Sequence, residues 1–302
     1  MNYKWVRLKC QNPHCSQRRG VWRTLVDPPR GVLLHSQWLC SLECLDQVLE
    51  DLLWPLIDSS QAASAAKVHR FPLGLLMLSL GLISKESLRM ALRAQREAGK
   101  GRVGDWLRQH GVVTEPQVTR ALAVQWSLPI YPLEKREANL NWAHLVPFPL
   151  LEAFQMLPVH SSPETGVLHV AFSNRVDHTA LYAIEQILDC RTEPCVAQES
   201  HIERALAKLH QEGCSKDTLI EGPIEAPLIS RATLQQASEC GAEEVRVAGC
   251  ANNIWVRLRD PAGARDLLFR PASHDSTRIL ENPKIHETGA PPFLESWVDR
   301  LY

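Results

Sequence analysis

The sequence predicts an α+β chain of several small units, and three observations carry that expectation. Four of its cysteines fall in two close pairs, Cys10 with Cys15 and Cys40 with Cys44. The stretch from Pro72 to Gln125 is one pattern written twice, thirty residues apart. After Leu128 the apolar spacing changes from the helical period to the two-residue period of strands and back again. The 302 residues, 45% of them apolar, suffice for two or three packed units.

Charge and composition exclude several classes. With 33 basic and 34 acidic residues the net charge is -1, so the chain as a whole has no attraction for nucleic acid or an anionic membrane. Residues 1–30 differ: Lys4, Arg7, Lys9, Arg18, Arg19, Arg23 and Arg30 face Asp27 alone. Met1 to Cys10 contains no apolar core of a secretion signal. The longest apolar run, Phe71 to Ile83, is too short for a bilayer and is broken by glycines, so a cytoplasmic chain without a membrane span is expected. Nine cysteines, an odd number, point to thiols and a metal rather than to disulfides.

Residues 1–58 form the first predicted unit. Cys10-x4-Cys15 reads as a knuckle, and Cys40-x3-Cys44 opens a helix carrying Leu45, Val48, Leu49, Leu52 and Leu53. Thiolates at a helix start gain from its dipole, and the knuckle supplies two more ligands. This is the layout of a small zinc-binding module with Cys10, Cys15, Cys40 and Cys44 as ligands, in which His14 or His35 could replace one cysteine. The alternative is four buried free thiols. The Cys-Ser-x-x-Cys helix start resembles small treble-clef fingers with a Phe/Tyr-Cys-Ser-x-x-Cys signature, although Leu39 stands at the aromatic position and the knuckle is longer. Four ligands leave no place for an activated water, which implies a structural metal.

Residues 59–69, small and polar, read as a linker. Residues 70–127 then give a tandem helix-turn-helix repeat. Each copy has a short first helix ending at Gly81 or Gly111, where a left-handed residue is wanted. Ser84 caps the second helix of copy one, and Thr114 with Gln117 forms a capping box in copy two. Leu88, Ala91, Leu92 and Gln95, and again Val118, Ala121, Leu122 and Gln125, share one helix face. A repeated amide at the end of an apolar stripe suggests a hydrogen bond to backbone or to a ligand. Neither copy can bury its apolar face alone, so the two should pack together.

Residues 128–211 follow as a ββαβα subdomain: strands at Phe154–Val159 and Gly166–Ala171, a helix capped by Asp177, a strand at Thr192–Ala197, and a helix from Glu199 or Ser200. Cys190 and Cys195 have knuckle spacing but no partner pair, so no second metal is expected. Gln211 to Ala226 reads as a linker. Residues 225–302 form a small α/β domain with a helix from Pro227 to Cys240, strands at Glu243–Val247, Asn253–Arg259 and Arg265–Phe269, and a short amphipathic helix from Pro291 to Leu301.

The pattern Leu73-Gly74, Gly81, Leu88, Ala91-Leu92, Gln95, then Arg102-Val103-Gly104, Gly111, Val118, Ala121-Leu122, Gln125 and Leu128-Pro129 resembles the N-terminal domain of the type II secretion and type IV pilus assembly ATPases. Gly241-Ala242-Glu243-Glu244-Val245-Arg246 and Ile254-Trp255-Val256-Arg257 keep the outline of the domain that precedes the motor there. The MshE-type domains of that family bind cyclic di-GMP with the tandem motif. The resemblance therefore implies ligand-facing positions at Leu73, Gly74, Leu88, Leu92 and Gln95 in copy one. In copy two it implies Arg102, Val103, Gly104, Val118, Leu122 and Gln125. Pro72 stands where the first leading Arg would fall, which removes a guanidinium and an N–H donor, and the spacer Arg96–Gly101 is one residue longer.

The sequence contains no Gly-x-x-x-x-Gly-Lys-Ser/Thr, Gly-x-Ser-x-Gly, His-Glu-x-x-His or Gly-x-Gly-x-x-Gly motif, and His160, His169 and His178 read as ordinary histidines. A non-catalytic regulatory or assembly protein is expected, docking on a protein of secretion or pilus machinery and binding cyclic di-GMP. The reading from another class is a zinc-dependent nucleic-acid-binding protein that uses the basic first thirty residues; a third is a zinc-stabilised scaffold without a small ligand.

Overall fold

The computed structural model describes residues 9–15, 31–65, 71–133, 140–162, 164–212 and 217–272. β1 (Val32–Leu34) and β2 (Gln37–Leu39) form a hairpin that leads into α1 (Leu42–Ala65). The tandem repeat comprises α2 (Leu73–Ser79), α3 (Lys85–Ala98), α4 (Val103–Gln109) and α5 (Glu115–Trp126). Two short helices, α6 (Leu140–Ala143) and α7 (Phe148–Phe154), lead to β3 (Met156–Ser162), β4 (Val167–Phe172), α8 (His178–Leu188), β5 (Arg191–Val196) and α9 (Glu199–Gln211). The chain continues with β6 (Asp217–Glu221), α10 (Ala226–Cys240), β7 (Glu244–Cys250), β8 (Asn253–Asp260) and β9 (Gly263–Arg270). No described helix is long and apolar enough to cross a membrane.

Local chemistry explains the helix ends of the repeat. Gly81 and Gly111 both take left-handed φ, 68° and 67°. The N–H of Leu82 reaches the carbonyl of Met77, and that of Gly81 the carbonyl of Leu78. Val112 to Leu107 and Gly111 to Arg108 repeat the same pair of bonds, so both copies end in one Schellman motif. Ser84 Oγ accepts from the Ser87 N–H, and Gln117 Oε1 from the Thr114 N–H at 2.8 Å. Met77, Ile83, Leu88, Ala91, Leu107, Val113 and Ala121 form the shared core of the two copies.

Among the described residues the strands form two sheets, ordered β3-β4-β5 and β2-β1-β7-β8-β9-β6. The larger sheet corrects the expectation that residues 1–58 are a unit of their own. β1 runs parallel to β7, with Leu33 opposite Glu244 and Leu34 opposite Val245. One face of that sheet, with Val245, Val247, Ile254, Val256, Leu267 and Phe269, is covered by Leu45, Leu49 and Leu53 of α1 and by Ile229 and Ala237 of α10. The reason is area: a three-residue hairpin and one amphipathic helix cannot exclude water from that leucine stripe alone. Ser230 Oγ donates to Asp46 at 2.7 Å and ties the two covering helices together.

The other face of the larger sheet presents Ala248, Cys250, Trp255 and Leu268 to the core of the ββαβα region, alongside Leu150, Phe172 and Ile184. The chain is therefore nested, with its two outer segments building one body and the middle packed against it. Two smaller expectations also change. The run read as a linker at 59–69 is helical through Ala65, as its alanines favour. The second linker contains β6, which pairs with β9 in parallel register from Asp217 opposite Asp266 to Glu221 opposite Arg270. The helix expected at Pro291–Leu301 lies outside the described residues, as does most of the basic stretch 1–30.

Candidate functional site

The four cysteines of the first segment converge. Asn12 shapes the knuckle, its carbonyl accepting from the Cys15 N–H and its side-chain oxygen from the His14 N–H, while its amide donates to Gln47 on α1. The hairpin and the start of α1 bring Cys40 and Cys44 opposite it. The sulfurs of Cys10, Cys15, Cys40 and Cys44 all lie within 4.8 Å of one another, with Cys15 to Cys40 at 3.6 Å and Cys40 to Cys44 at 3.7 Å. Tetrahedral zinc with ~2.3 Å bonds to sulfur requires an edge of about 3.8 Å. Burial pushes the Cys40 thiol up to about 12, and the neighbouring thiols of Cys15, Cys44 and Cys10 add to this. Burial also disfavours the Cys10 thiolate, but the backbone N–H groups of Asn12 and Cys40 draw its pKa below the ordinary value. The spacing of the four sulfurs is that of ligands around one metal ion. His35 stands elsewhere, its Nε2 accepting the Val247 N–H at 3.2 Å, and the group of described ligand atoms that converges is the four cysteine sulfurs.

In the tandem repeat the two glutamines cross over. Gln95 of copy one donates to the carbonyl of Gly101, just before copy two, at 2.7 Å. Gln125 of copy two donates to the carbonyl of Phe71, just before copy one, also at 2.7 Å. Each copy thus holds the other's first helix in place. Gly74 and Gly104 serve close packing: a Cβ on Gly74 would fall 2.6 Å from Leu88 Cδ1, and one on Gly104 3.3 Å from Val118 Cγ1. Leu88 is buried between the helices of copy one, while Leu92 and Val103 pack against the same core.

Five of the expected positions, Leu73, Arg102, Gly104, Val118 and Leu122, line a cavity of about 40 Å³ between the repeat and the ββαβα region. Arg102 engages Asp105 through Nε at 2.9 Å and Nη2 at 3.3 Å, and Nη2 also reaches Glu199 at 2.5 Å. Arg108 Nη1 takes the other oxygen of Glu199 at 3.1 Å. Burial works against the Arg102 charge, but Glu199 and Asp105 more than offset it and raise its pKa. Glu115 returns the contact, accepting the Ser200 N–H at 2.7 Å at the start of α9. Burial opposes ionisation of Glu115, but this backbone bond prevails and its pKa is lowered. The sequence reading had no access to Arg108, Ser173 or Glu199, because the groups that meet here are about ninety residues apart and share no local pattern.

Residues 126–214 match the model of the MshEN domain. That segment of the chain is similar to the MshEN domain. The match covers the ββαβα region, against which both the tandem repeat and the larger sheet pack. The type IV pilus assembly ATPase PilB of Thermus thermophilus is 29% identical over 140 residues, which is 46% of this chain and 16% of that relative's length. A solved structure of MshE with cdg shares 29% identity, covering 46% of this chain and 99% of the other, with a TM-score of 0.39. The N-terminal domain of XpsE shares 18% identity over 47% of this chain and 98% of the other, with a TM-score of 0.34.

Proposed function

We propose that this chain is a non-catalytic regulatory or assembly module of the secretion and pilus ATPase N-terminal type. It docks on a protein of such machinery, binds cyclic di-GMP on its tandem repeat and holds a structural zinc at its four thiols. The observation that carries the ligand reading is the exchange of glutamine contacts between the copies. That exchange presents two equivalent Leu-Gly and Val-Gly helix starts side by side, with apolar side chains beside them for bases and the Arg102 guanidinium for a phosphate. The MshEN match at residues 126–214 directly follows the repeat, and a solved structure of MshE with cdg shares 29% identity over 46% of this chain. The zinc reading rests on the sulfur spacing, which suits a closed tetrahedral site without an open coordination position.

Titrating the purified chain calorimetrically with cyclic di-GMP tests the ligand reading. Binding heat is expected for the wild type and is lost or strongly reduced in Arg102→Ala and Gln95→Ala. No heat from the wild type at tens of micromolar protein removes cyclic di-GMP and leaves a docking module.

A further inference from the structure

We propose that the seam between the tandem repeat and the ββαβα region is a clamp for one phosphate group, occupied from within by Glu199. This rests on the nucleotide reading above for the identity of the ligand, but not for the clamp itself. Asp105 holds Arg102 along one edge and leaves another donor of Nη2 for Glu199. Arg108 takes the second oxygen of the same carboxylate. Two guanidinium groups closing on two oxygens of one monoanion is the arrangement that recognises a phosphate as readily as a carboxylate. Replacing the Glu199 carboxylate by a phosphodiester exchanges one negative charge for another, so the surrounding electrostatics are unchanged.

A second observation points to a ligand. Ser173, at the end of β4, lines the same cavity and is 4% exposed, and its Oγ has no hydrogen-bond partner among the described residues. A carboxylate brings two oxygens, both already held by the arginines. The group that belongs here brings further oxygens, and the Ser173 hydroxyl is placed to donate to one of them. Glu115 lines the same cavity and feels the charge of Arg108, while one of its carboxylate oxygens accepts the Ser200 N–H.

The clamp exists in one copy only. The positions thirty residues before Arg102, Asp105 and Arg108 are Pro72, Leu75 and Leu78, none of which can hold an anion. The ligand is therefore gripped through a single phosphate, and its remainder lies along Leu73, Val118 and Leu122 at the edge of the cavity. Binding requires Glu199 to leave, and with it one of the two contacts that fasten the start of α9 to the repeat, the other being the Ser200 N–H on Glu115.

The test is calorimetry on the full chain with two probes, cyclic di-GMP and inorganic phosphate. Glu199→Gln, which keeps the shape of the side chain and removes its charge, is expected to tighten at least one probe by about tenfold. Arg108→Gln in the same background should remove the gain. Ser173→Ala, which deletes only the hydroxyl, should weaken whatever binds several-fold, and a thermal melt checks that each variant is folded. A folded Glu199→Gln variant with unchanged or weaker affinity for both probes overturns the clamp and leaves an ordinary ion pair. Tighter phosphate binding with no cyclic di-GMP heat in any variant supports the clamp and removes the nucleotide reading. Cyclic di-GMP binding indifferent to all three substitutions does the reverse.

Discussion

The ββαβα region is held from two sides by seams of different character. Toward the larger sheet the contact is apolar and closed. Trp255, Ala248, Cys250 and Leu268 enter its core, and the polar groups present are fully engaged. The Arg257 and Asp266 side chains are 5% and 8% exposed, Trp255 Nε1 donates to Asp266 at 2.8 Å, and Arg257 Nη2 donates to the Leu145 carbonyl at 2.6 Å. Toward the tandem repeat the contact joins half-wet ion pairs, with Arg102, Arg108 and Glu199 at 40%, 35% and 22% exposure, to a smaller apolar part in which Trp126 packs against the ββαβα core. Half-exposed ion pairs contribute about 0–1 kcal/mol each, whereas separating the closed seam would expose a large apolar area and a buried charge pair. The seam with the larger sheet is therefore expected to be the firmer of the two.

That contrast can be broken in three places, and the largest effect is at the thiols. Removing zinc with a chelator, or making Cys40→Ser, should cost several kcal/mol, because metal binding and folding are linked in modules with little core of their own. Since α1 and β1 complete the core of the larger sheet, hydrogen exchange should accelerate in β7, β8 and α10 as well as in α1. Acceleration confined to residues before Ala65 would mean that the two outer segments are separate bodies.

The next effect is at the closed seam. Arg257→Ala leaves the Asp266 carboxylate buried without its cation, and urea unfolding should show a loss of about 3–5 kcal/mol. A loss below about 1 kcal/mol would place water in this seam and make it no firmer than the other.

The smallest effect is a pH dependence at His35. Burial and then the nearby Arg246 hold its pKa below the ordinary imidazole value of 6.5. The folded state thus binds the proton less readily than the unfolded chain. This contribution is complete above 6.5 and is lost as pH falls through the folded-state value, so stability should rise with pH across that window. His35→Asn, which tolerates the local φ of 54°, should flatten that part of the profile.

What could be read from the sequence was what depends on neighbours along the chain. The Schellman glycines at Gly81 and Gly111, the caps at Ser84 and Asp177, and the strands β3, β4 and β5 with their intervening helix all carry their signals within a few residues. β6 was hidden because a five-residue edge strand needs only β9 on one side, and its Asp and Thr resemble the linker around it. The pairing of β1 with β7 was hidden for a different reason. Nothing in Val32–Leu34 names a partner more than two hundred residues away, and three residues of strand carry too little pattern to demand one. The cysteines were found by spacing, but the exclusion of His35 needed its partner at Val247. The clamp combines both difficulties, since Arg102 was noticed as a motif position while Glu199 looked like a helix start.

The nested order of the chain sets a timetable for its making. His35 and Val247, which bond in the finished protein, are 212 positions apart. At roughly 5–20 residues per second on a ribosome, the first hairpin and the leucine stripe of α1 wait on the order of ten to forty seconds for the strand that shelters them. During that interval the tandem repeat and the ββαβα region can complete their own cores, whereas α1 has nothing to cover it. A zinc ion captured early by the four thiols would fix the start of α1 against the knuckle through that wait.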